Sequence, residues 1–526
     1  MDTEYLFCST PPLLKSSEEL EHLYIKHFEE GNALLRKRQY SNAFLAFTRC
    51  LYYWPQDAHG WLKRAKVLCR LHVYDLAAVD ALRVLLMLGL QPPQVLATWA
   101  LCDEDRRRLA RRILQKHLTS SSFLSFDDER NKIIAEAYQR VAVAYLGMNL
   151  RDSACRLLQH GRALLQDTSG VHKLQSLLGK LEREVVSNTH PPGYIDKPCY
   201  MFTVVREVVV NQQLRFRNLS YLEALIQNVC SFVSPRVVTK GKTQMFGLFA
   251  NRDFEPEELV FLEKPTLCAS TLHVLSCENC GLPLGKSTDW YSCPQCKLPF
   301  CNISCLQSSQ GWHSILCVQR EGCNSSYSAL KELITQNSST TSGVCHLLLL
   351  KVLALAKYHD LCPLNVPCVA HLMGEREDAK FVDLVNVQYD MGVDFFWGLS
   401  LVNQASMTLA HSLKFDFWVI QLIAKRLRNN TFGESTASGR PSKCELYSNI
   451  ALVNHSCQPN VIGRTDMQQG YRCLVATRTI KKGEELTINY LRQGLSYHQR
   501  QESLNRFFGF DCCCTLCQEE QAQVGA

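Results

Sequence analysis

Apolar and small residues follow helical spacing through the first part of the chain, from about Tyr24 onward. The pattern predicts pairs of helices that recur with a period of about 34 residues. A large side chain at a position where the two helices of a pair touch would force them apart. Small or aromatic residues occupy these positions: Gly31, Ala43, Phe47 and Pro55, then Trp61, Ala65 and Ala77, and in a weaker third unit Ala142, Tyr145, Ala154 and Leu158.

These positions are similar to those of a tetratricopeptide repeat. Residues 23–186 are therefore predicted to form a helical-repeat domain after an N-terminal tail of residues 1–22, and a plain helical bundle remains the alternative. His190-Pro191-Pro192-Gly193 ends the domain, because consecutive prolines bias the chain out of helix. Residues 187–232 are predicted to be a linker.

The spacing of the apolar residues changes further along the chain. Residues 237–262 predict strands joined by a glycine turn, and residues 344–428 are dominated by helical spacing. Short β-type runs then return, and they predict strands at residues 450–453, 471–477 and 485–490. The pattern predicts an α+β chain of several domains.

Composition and charge exclude some functions. The net charge is +7, and the longest basic run, residues 105–112, is typical of a solvated helix face, so direct nucleic-acid binding is not favoured. The N-terminus lacks the basic start and apolar core of a signal peptide. The longest apolar stretch, residues 347–356, is broken by Lys351 and is too short to span a bilayer, so no membrane partner is expected.

Cysteine is abundant, with 26 residues in the chain. Without an export signal, this abundance indicates metal binding in a reducing compartment rather than disulfides. We therefore expect the protein in the cytoplasm and the nucleus.

Residues 277–317 carry cysteine and histidine at metal-ligand spacing. Pairs two residues apart place two thiolates on one tight turn, and so short a stretch has too little apolar mass to fold without a metal. Two tetrahedral zinc sites filled by protein ligands leave no open position for a substrate, so the metal is expected to be structural. The ligands in chain order are Cys277, Cys280, Cys293, Cys296, Cys301, Cys305, His313 and Cys317.

The spacing and order of these ligands resemble the MYND zinc module. The resemblance implies interleaved sites, with Cys277, Cys280, Cys301 and Cys305 on one ion and Cys293, Cys296, His313 and Cys317 on the other. It also implies that the module binds short peptides, as the helical repeats would on their concave face.

Two further motifs follow the zinc module. Val453-Asn454-His455-Ser456-Cys457-Gln458-Pro459-Asn460 precedes Gly483-Glu484-Glu485-Leu486-Thr487-Ile488-Asn489-Tyr490, and a cysteine-rich tail comes last. Together they resemble the SET methyltransferase signature, and with the inserted zinc module the chain resembles the SET and MYND domain family of protein lysine methyltransferases. The resemblance divides the chain into N-terminal SET strands at 233–268, the MYND module at 269–322, a helical insertion at 323–429, core SET at 430–495, a post-SET zinc tail at 496–519 and a C-terminal tail at 520–526.

The resemblance implies S-adenosylmethionine as cofactor and a lysine of a protein as substrate. It implies that Gly247, Asn430, Asn454 and His455 contact the cofactor and that Tyr490 is catalytic and borders the cofactor. Phe510 would cover the adenine. A third zinc ion is expected on Cys457, Cys512, Cys514 and Cys517, with Cys513 left over as a possible replacement.

Two departures from the family pattern favour an alternative. Met245 and Phe246 stand where the family has small or polar residues and are expected to crowd the cofactor, and Phe508 stands where many active members carry a channel tyrosine. The alternative is a catalytically weak or inactive SET/MYND scaffold that acts as a protein-interaction or transcriptional co-regulator.

Overall fold

The structure is a computed structural model. Most of the predicted linker, the basic run, the glycine turn and Pro55 lie outside the residues that it describes. The described residues are 17–53, 57–88, 90, 126–147, 151–165, 172, 176, 179, 222–223, 226, 230–240, 243–285, 290–317, 326–337, 341–372, 415–466, 470–508 and 510–524.

The N-terminal part is helical, as predicted. Each described helix packs against its neighbour in the chain. A Cβ added at Gly31 would lie 2.7 Å from the ring of Phe47, which confirms that the first helix pair needs a small residue there. The repeat period itself stays a prediction. The helices are α1 (Ser17–Arg36), α2 (Tyr40–Tyr53), α3 (Ala58–Arg70), α4 (Tyr74–Met87), α5 (Phe126–Gly147) and α6 (Arg151–Leu164).

Two strands that precede the zinc module share sheets with strands that follow it. The strands before it are β1 (Val233–Lys240), β2 (Thr243–Ala250), β3 (Leu259–Glu263) and β4 (Leu267–Ser270). Those after it are β7 (Thr431–Ser435), β8 (Pro441–Leu446), β9 (Asn454–His455), β10 (Val461–Asp466), β11 (Tyr471–Ala476) and β12 (Thr487–Ile488). Strand β3 pairs with β11 and β4 pairs with β8, both antiparallel. The zinc module therefore interrupts one β-rich domain, as the sequence indicated.

The module and the insertion supply short strands and helices. The module contains β5 (Tyr291–Ser292), β6 (Pro299–Phe300), α7 (Ile303–Ser308) and α8 (Gln310–Leu316). The insertion contains α9 (Ser326–Asn337), α10 (Thr341–Tyr358), α11 (Pro367–Ala370) and α12 (Phe417–Asn430). Helix α10 is apolar on nearly every side because it is buried in the core. Among the described residues no helix is both long and apolar enough to cross a membrane.

The tail after the core carries α13 (Tyr497–Phe508) and α14 (Thr515–Val524). The strand predicted at residues 450–453 is wrong, because Ile450–Leu452 is a 3₁₀ helix. The carboxylate of Glu263 accepts hydrogen bonds from the backbone N–H groups of Asn449 and Ile450, which favours a helical turn over a strand. Of the strand predicted at 485–490, only β12 forms, whereas β11 confirms the strand predicted at 471–477.

Two buried ionic networks connect segments that are far apart in the chain. Arg64 of α3 donates to Asp80 of α4 at 2.7 Å and to Asp416, the residue before α12, at 2.9 Å. Glu278 of the zinc module accepts from Lys331 of α9 and, at 3.1 Å, from Lys351 of α10. Burial disfavours ionisation of Glu278, but the two lysines outweigh it and lower its pKa to about 2.

Candidate active site and zinc centres

The two motifs of the second half meet in space. Strands β9 and β12 are parallel and place Asn454 opposite Thr487 and His455 opposite Ile488. Asn460, at the end of the first motif, accepts from the Thr487 backbone N–H at 2.8 Å and donates to the Glu485 carbonyl at 2.8 Å. This amide holds the second motif against the first.

Asn454 lies beside Gly247. Its amide donates to the Phe246 carbonyl at 3.1 Å and to the Glu485 carboxylate at 2.7 Å. A Cβ at Gly247 would lie 2.8 Å from Oε1 of Glu485 and 3.0 Å from Nδ2 of Asn454. Glycine is therefore required here by these two side chains of the protein itself.

His455 is buried and contacts Tyr490. Its Nδ1 accepts from the Tyr490 backbone N–H at 3.0 Å, and the two ring centroids are 5.2 Å apart. Its Nε2 lies 3.4 Å from Sγ of Cys457. The imidazole thus connects the predicted catalytic tyrosine to a predicted zinc ligand.

The Tyr490 hydroxyl donates to the Val453 carbonyl at 2.8 Å. Burial, with a smaller contribution from the charge of Glu485, raises the pKa of Tyr490 well above its usual range, so the phenol stays neutral at physiological pH. Because the hydroxyl donates its proton to the Val453 carbonyl, the lone pairs of the Tyr490 oxygen remain free to accept a hydrogen bond.

A cavity of about 760 Å³ adjoins Tyr490. Its walls include Asn430 and Phe432 on one side and Phe508 on another. The Phe508 ring centroid is 5.0 Å from that of Tyr490, and Phe510 lies 6.4 Å from Phe508 and 6.1 Å from His455. This volume falls within the range of about 300–1,000 Å³ that small-molecule sites occupy.

Some of the predicted site residues border this cavity and others do not. Asn430 borders it, although its amide donates to the Arg426 carbonyl one helical turn back, at 2.7 Å. Gly247, Asn454 and His455 gather next to Tyr490, on β2 and β9. The Phe246 side chain is only 4% exposed and packs in the core with Leu248, and its expected crowding of the cofactor stays a prediction.

Three groups of ligand atoms have the geometry of zinc sites. Within each group the atoms lie within 4.8 Å of one another. A tetrahedral zinc ion bound by thiolates places neighbouring sulfurs about 3.8 Å apart. The Cys280–Cys301, Cys293–Cys317 and Cys457–Cys517 sulfur pairs are 3.8, 3.6 and 3.6 Å apart, so the residues fit zinc.

The grouping is the predicted one. The first two groups interleave in the module as Cys277, Cys280, Cys301 and Cys305, and as Cys293, Cys296, His313 and Cys317. The third group is Cys457, Cys512, Cys514 and Cys517, while Cys513 is exposed and outside it. The third group joins the tail to the residue two positions after His455.

Sequence reasoning assigned no role to Glu485 or Asn460, although both stand inside the quoted motifs, and it missed Glu263 and Arg472 altogether. The residues next to Glu263 in the sequence do not indicate which group its carboxylate will contact. Its partner Asn449 lies 186 positions away. Arg472 looks like an ordinary polar position of an alternating strand.

Comparison with known proteins relates this part of the chain to SET domains. The SET domain family profile matches residues 245–491. Histone-lysine N-methyltransferase ASHR1 of Arabidopsis thaliana is 24% identical over 306 residues, which cover 56% of this chain and 56% of that protein. Histone-lysine N-methyltransferase SMYD3 of Mus musculus is 26% identical over 293 residues, 52% of this chain and 59% of the relative.

A SET and MYND domain-containing protein of Dictyostelium discoideum is 23% identical over 295 residues, 52% of this chain and 50% of the relative. The chain thus spans between 50% and 59% of the length of these three relatives.

Proposed function

Because the chain belongs to the SET and MYND domain family, we propose that it is an S-adenosylmethionine-dependent protein-lysine N-methyltransferase. The observation that carries the proposal is the neutral Tyr490 hydroxyl, anchored through the backbone to His455 and bordering a cavity of about 760 Å³. The two relatives named as histone-lysine N-methyltransferases support the reaction type. Histone and non-histone lysines are equally compatible with it.

In this proposal the cofactor is held by Gly247, Asn430, Asn454, His455 and Phe510. S-adenosylmethionine, when bound, supplies a methyl group on a sulfonium centre.

The substrate amine must be neutral to attack a methyl group, yet a free lysine has a pKa of about 10.4. Ile450, Val461 and Phe508 give the cavity apolar walls that disfavour the charged amine by desolvation. The guanidinium of Arg472 on the same lining acts in the same direction by like-charge repulsion. The Tyr490 oxygen can accept an N–H of the neutral amine and so orient its lone pair.

Three zinc ions are part of the proposal, and their role is structural. All four ligands of each site come from the protein, so the described residues leave no open coordination position. The third ion would hold the tail, with Phe508 and Phe510, against the strand that carries His455.

We also propose that the zinc module and the helical repeats recruit peptide partners, in the cytoplasm and the nucleus. Stacked helix pairs that bury Ala43, Ala65 and Ala154 support a short solenoid, the architecture that presents a concave binding face.

The alternative function is a SET/MYND scaffold with little or no activity. Phe508 favours it, because the residue lines the cavity beside Tyr490 and has no hydroxyl to bind the amine or its water. The predicted crowding of the cofactor by Met245 and Phe246 also favours this alternative.

Calorimetric binding of S-adenosylmethionine to the zinc-loaded chain, together with transfer of a labelled methyl group to a lysine peptide library, tests the choice. We expect wild type to bind and transfer, Asn454→Ala to lose binding at least about tenfold, and Tyr490→Phe to bind normally but transfer about a hundredfold more slowly. Absence of binding would establish the scaffold in place of the enzyme. Full activity of a folded Tyr490→Phe variant would refute the role of that tyrosine.

A further inference from the structure

Arg472 of β11 contributes a positive charge to the lining of the cavity. Its guanidinium carbon lies 4.0 Å from the ring centroid of Phe432, so the side chain is held against an aromatic wall. Its Nε is buried, and no hydrogen-bond partner for it occurs among the described residues. Through Nε, therefore, no internal hydrogen bond holds the guanidinium away from the cavity that the side chain lines.

The carboxylates of the surrounding strands are engaged elsewhere. Glu263, which lies opposite Arg472 in the β3–β11 register, accepts from the backbone of Asn449 and Ile450. Glu445 accepts from Lys443 at 2.7 Å and from the Tyr447 hydroxyl at 2.8 Å. The protein thus surrounds Arg472 with acids that other donors already bind.

Gly463 of the neighbouring strand β10 makes room for the guanidinium. A Cβ at Gly463 would lie 3.1 Å from both Nε and Nη2 of Arg472. The side chain therefore lies flat across the sheet, in a fixed plane between Gly463 and Phe432. A planar guanidinium whose orientation is already fixed is suited to bidentate binding of a carboxylate.

We propose that Arg472 is a carboxylate-binding residue of the cavity and that it takes an acidic side chain of the protein substrate, close to the lysine that enters toward Tyr490. The inference rests on the proposed function, and it adds a substrate class: lysines flanked by aspartate or glutamate.

Placement favours the substrate over the cofactor as the source of the carboxylate. Arg472 shares the cavity lining with Phe508, Tyr490 and Ile462, and Ile462 on β10 is 43% exposed, so this wall continues to the protein surface. Of the residues assigned to the cofactor, Asn430 borders this cavity, whereas Gly247 and Asn454 lie on β2 and β9.

Two fluorescent peptide pools test the proposal. Each carries a central lysine and otherwise random positions, and the flanking positions hold glutamate in one pool and glutamine in the other. Anisotropy is measured with zinc-loaded full-length protein saturated with S-adenosylhomocysteine. We expect wild type to bind the glutamate pool about tenfold more tightly, since a charged hydrogen-bonded pair is worth roughly that ratio.

Arg472→Gln should bind both pools equally, and Arg472→Lys, which keeps the charge without the planar fork, should keep part of the preference. Arg464→Gln is the matched control, because Arg464 is an arginine of β10 that pairs with Glu257 at 2.9 Å on the surface. It should keep the full preference.

Equal binding of the two pools by wild type, no binding of either pool, or an unchanged preference in Arg472→Gln would overturn the proposal. So would weaker binding of S-adenosylmethionine by Arg472→Gln with the preference intact, because the carboxylate would then belong to the cofactor. If the preference depends on Arg472 but no peptide is methylated, the carboxylate site stands and the proposed enzymatic activity fails.

Discussion

The backbone N–H of Tyr490 donates to Nδ1 of His455 over 3.0 Å. This bond joins the ends of two motifs that are 35 positions apart and fixes the tautomer of the imidazole, since Nδ1 must be unprotonated to accept. The other ring nitrogen faces Sγ of Cys457 at 3.4 Å. His455 therefore orients the tyrosine that the proposed chemistry requires.

Replacing His455 by alanine should lower the rate of methyl transfer about ten- to a hundredfold, because small displacements of a catalytic group are costly. The measurement is the single-turnover rate with labelled S-adenosylmethionine. Ser456→Ala is the control, since its hydroxyl donates only to the Gln458 carbonyl in an exposed turn, and it should stay near wild type. Equal rates for His455→Ala and Ser456→Ala would show that the contact does not matter for catalysis.

Phe508→Tyr should raise turnover several-fold. The Phe508 ring lies 5.0 Å from that of Tyr490 and lines the cavity, so an added hydroxyl would supply a second hydrogen-bonding group near the amine. Phe510→Tyr adds the same group to the neighbouring ring, which lies farther along toward His455, and should not raise turnover. The measurement is the steady-state kcat of wild type, Phe508→Tyr and Phe510→Tyr. An unchanged kcat in Phe508→Tyr would mean that the missing hydroxyl does not limit the rate.

The parts of the structure that were predictable from the sequence are those whose cause is local or lies in a short motif. Cys277 and Cys280 stand on one turn, and the resemblance to the MYND module implied their grouping with Cys301 and Cys305. The helix pair around Gly31 and Phe47 followed from the small residue that their contact needs.

The errors come from contacts between distant parts of the chain. Residues 450–453 were predicted to be a strand, but the Glu263 carboxylate accepts from the N–H groups of Asn449 and Ile450, and a 3₁₀ turn forms. That Nε of Arg472 has no hydrogen-bond partner among the described residues is visible only in the folded structure.

Two adjacent cysteines of the tail should behave in opposite ways. Cys512→Ser removes a ligand of the third group and should lower the zinc content by one ion per chain, whereas Cys513→Ser, at an exposed thiol outside the group, should not change it. Elemental analysis of purified protein measures both. Methyl transfer should fall with Cys512→Ser only, because the tail that carries Phe508 and Phe510 loses its attachment beside His455. Loss of zinc in Cys513→Ser would instead make that residue a ligand.

Glu263 gives the fold a dependence on pH. Burial raises the pKa of this carboxyl to about 7, and the N–H groups of Ile450 and Asn449 oppose the rise. In the unfolded chain the pKa is about 4.3, so between these two values the folded protein holds a proton that the unfolded chain releases. The stabilising contribution is complete below about pH 4.3 and is lost as the pH rises through 7.

Relative to Glu263→Gln, wild type should therefore lose roughly 1–2 kcal/mol of unfolding free energy between about pH 5.5 and about pH 8. Denaturant unfolding of the two zinc-loaded proteins at both pH values gives this difference, and the titration of the zinc thiolates cancels because it is common to both. Glutamine keeps the shape and one acceptor oxygen, so the comparison isolates the charge. A difference that does not change with pH would mean that the carboxylate is ionised in the fold. In that case the N–H donors of Asn449 and Ile450 would outweigh its burial.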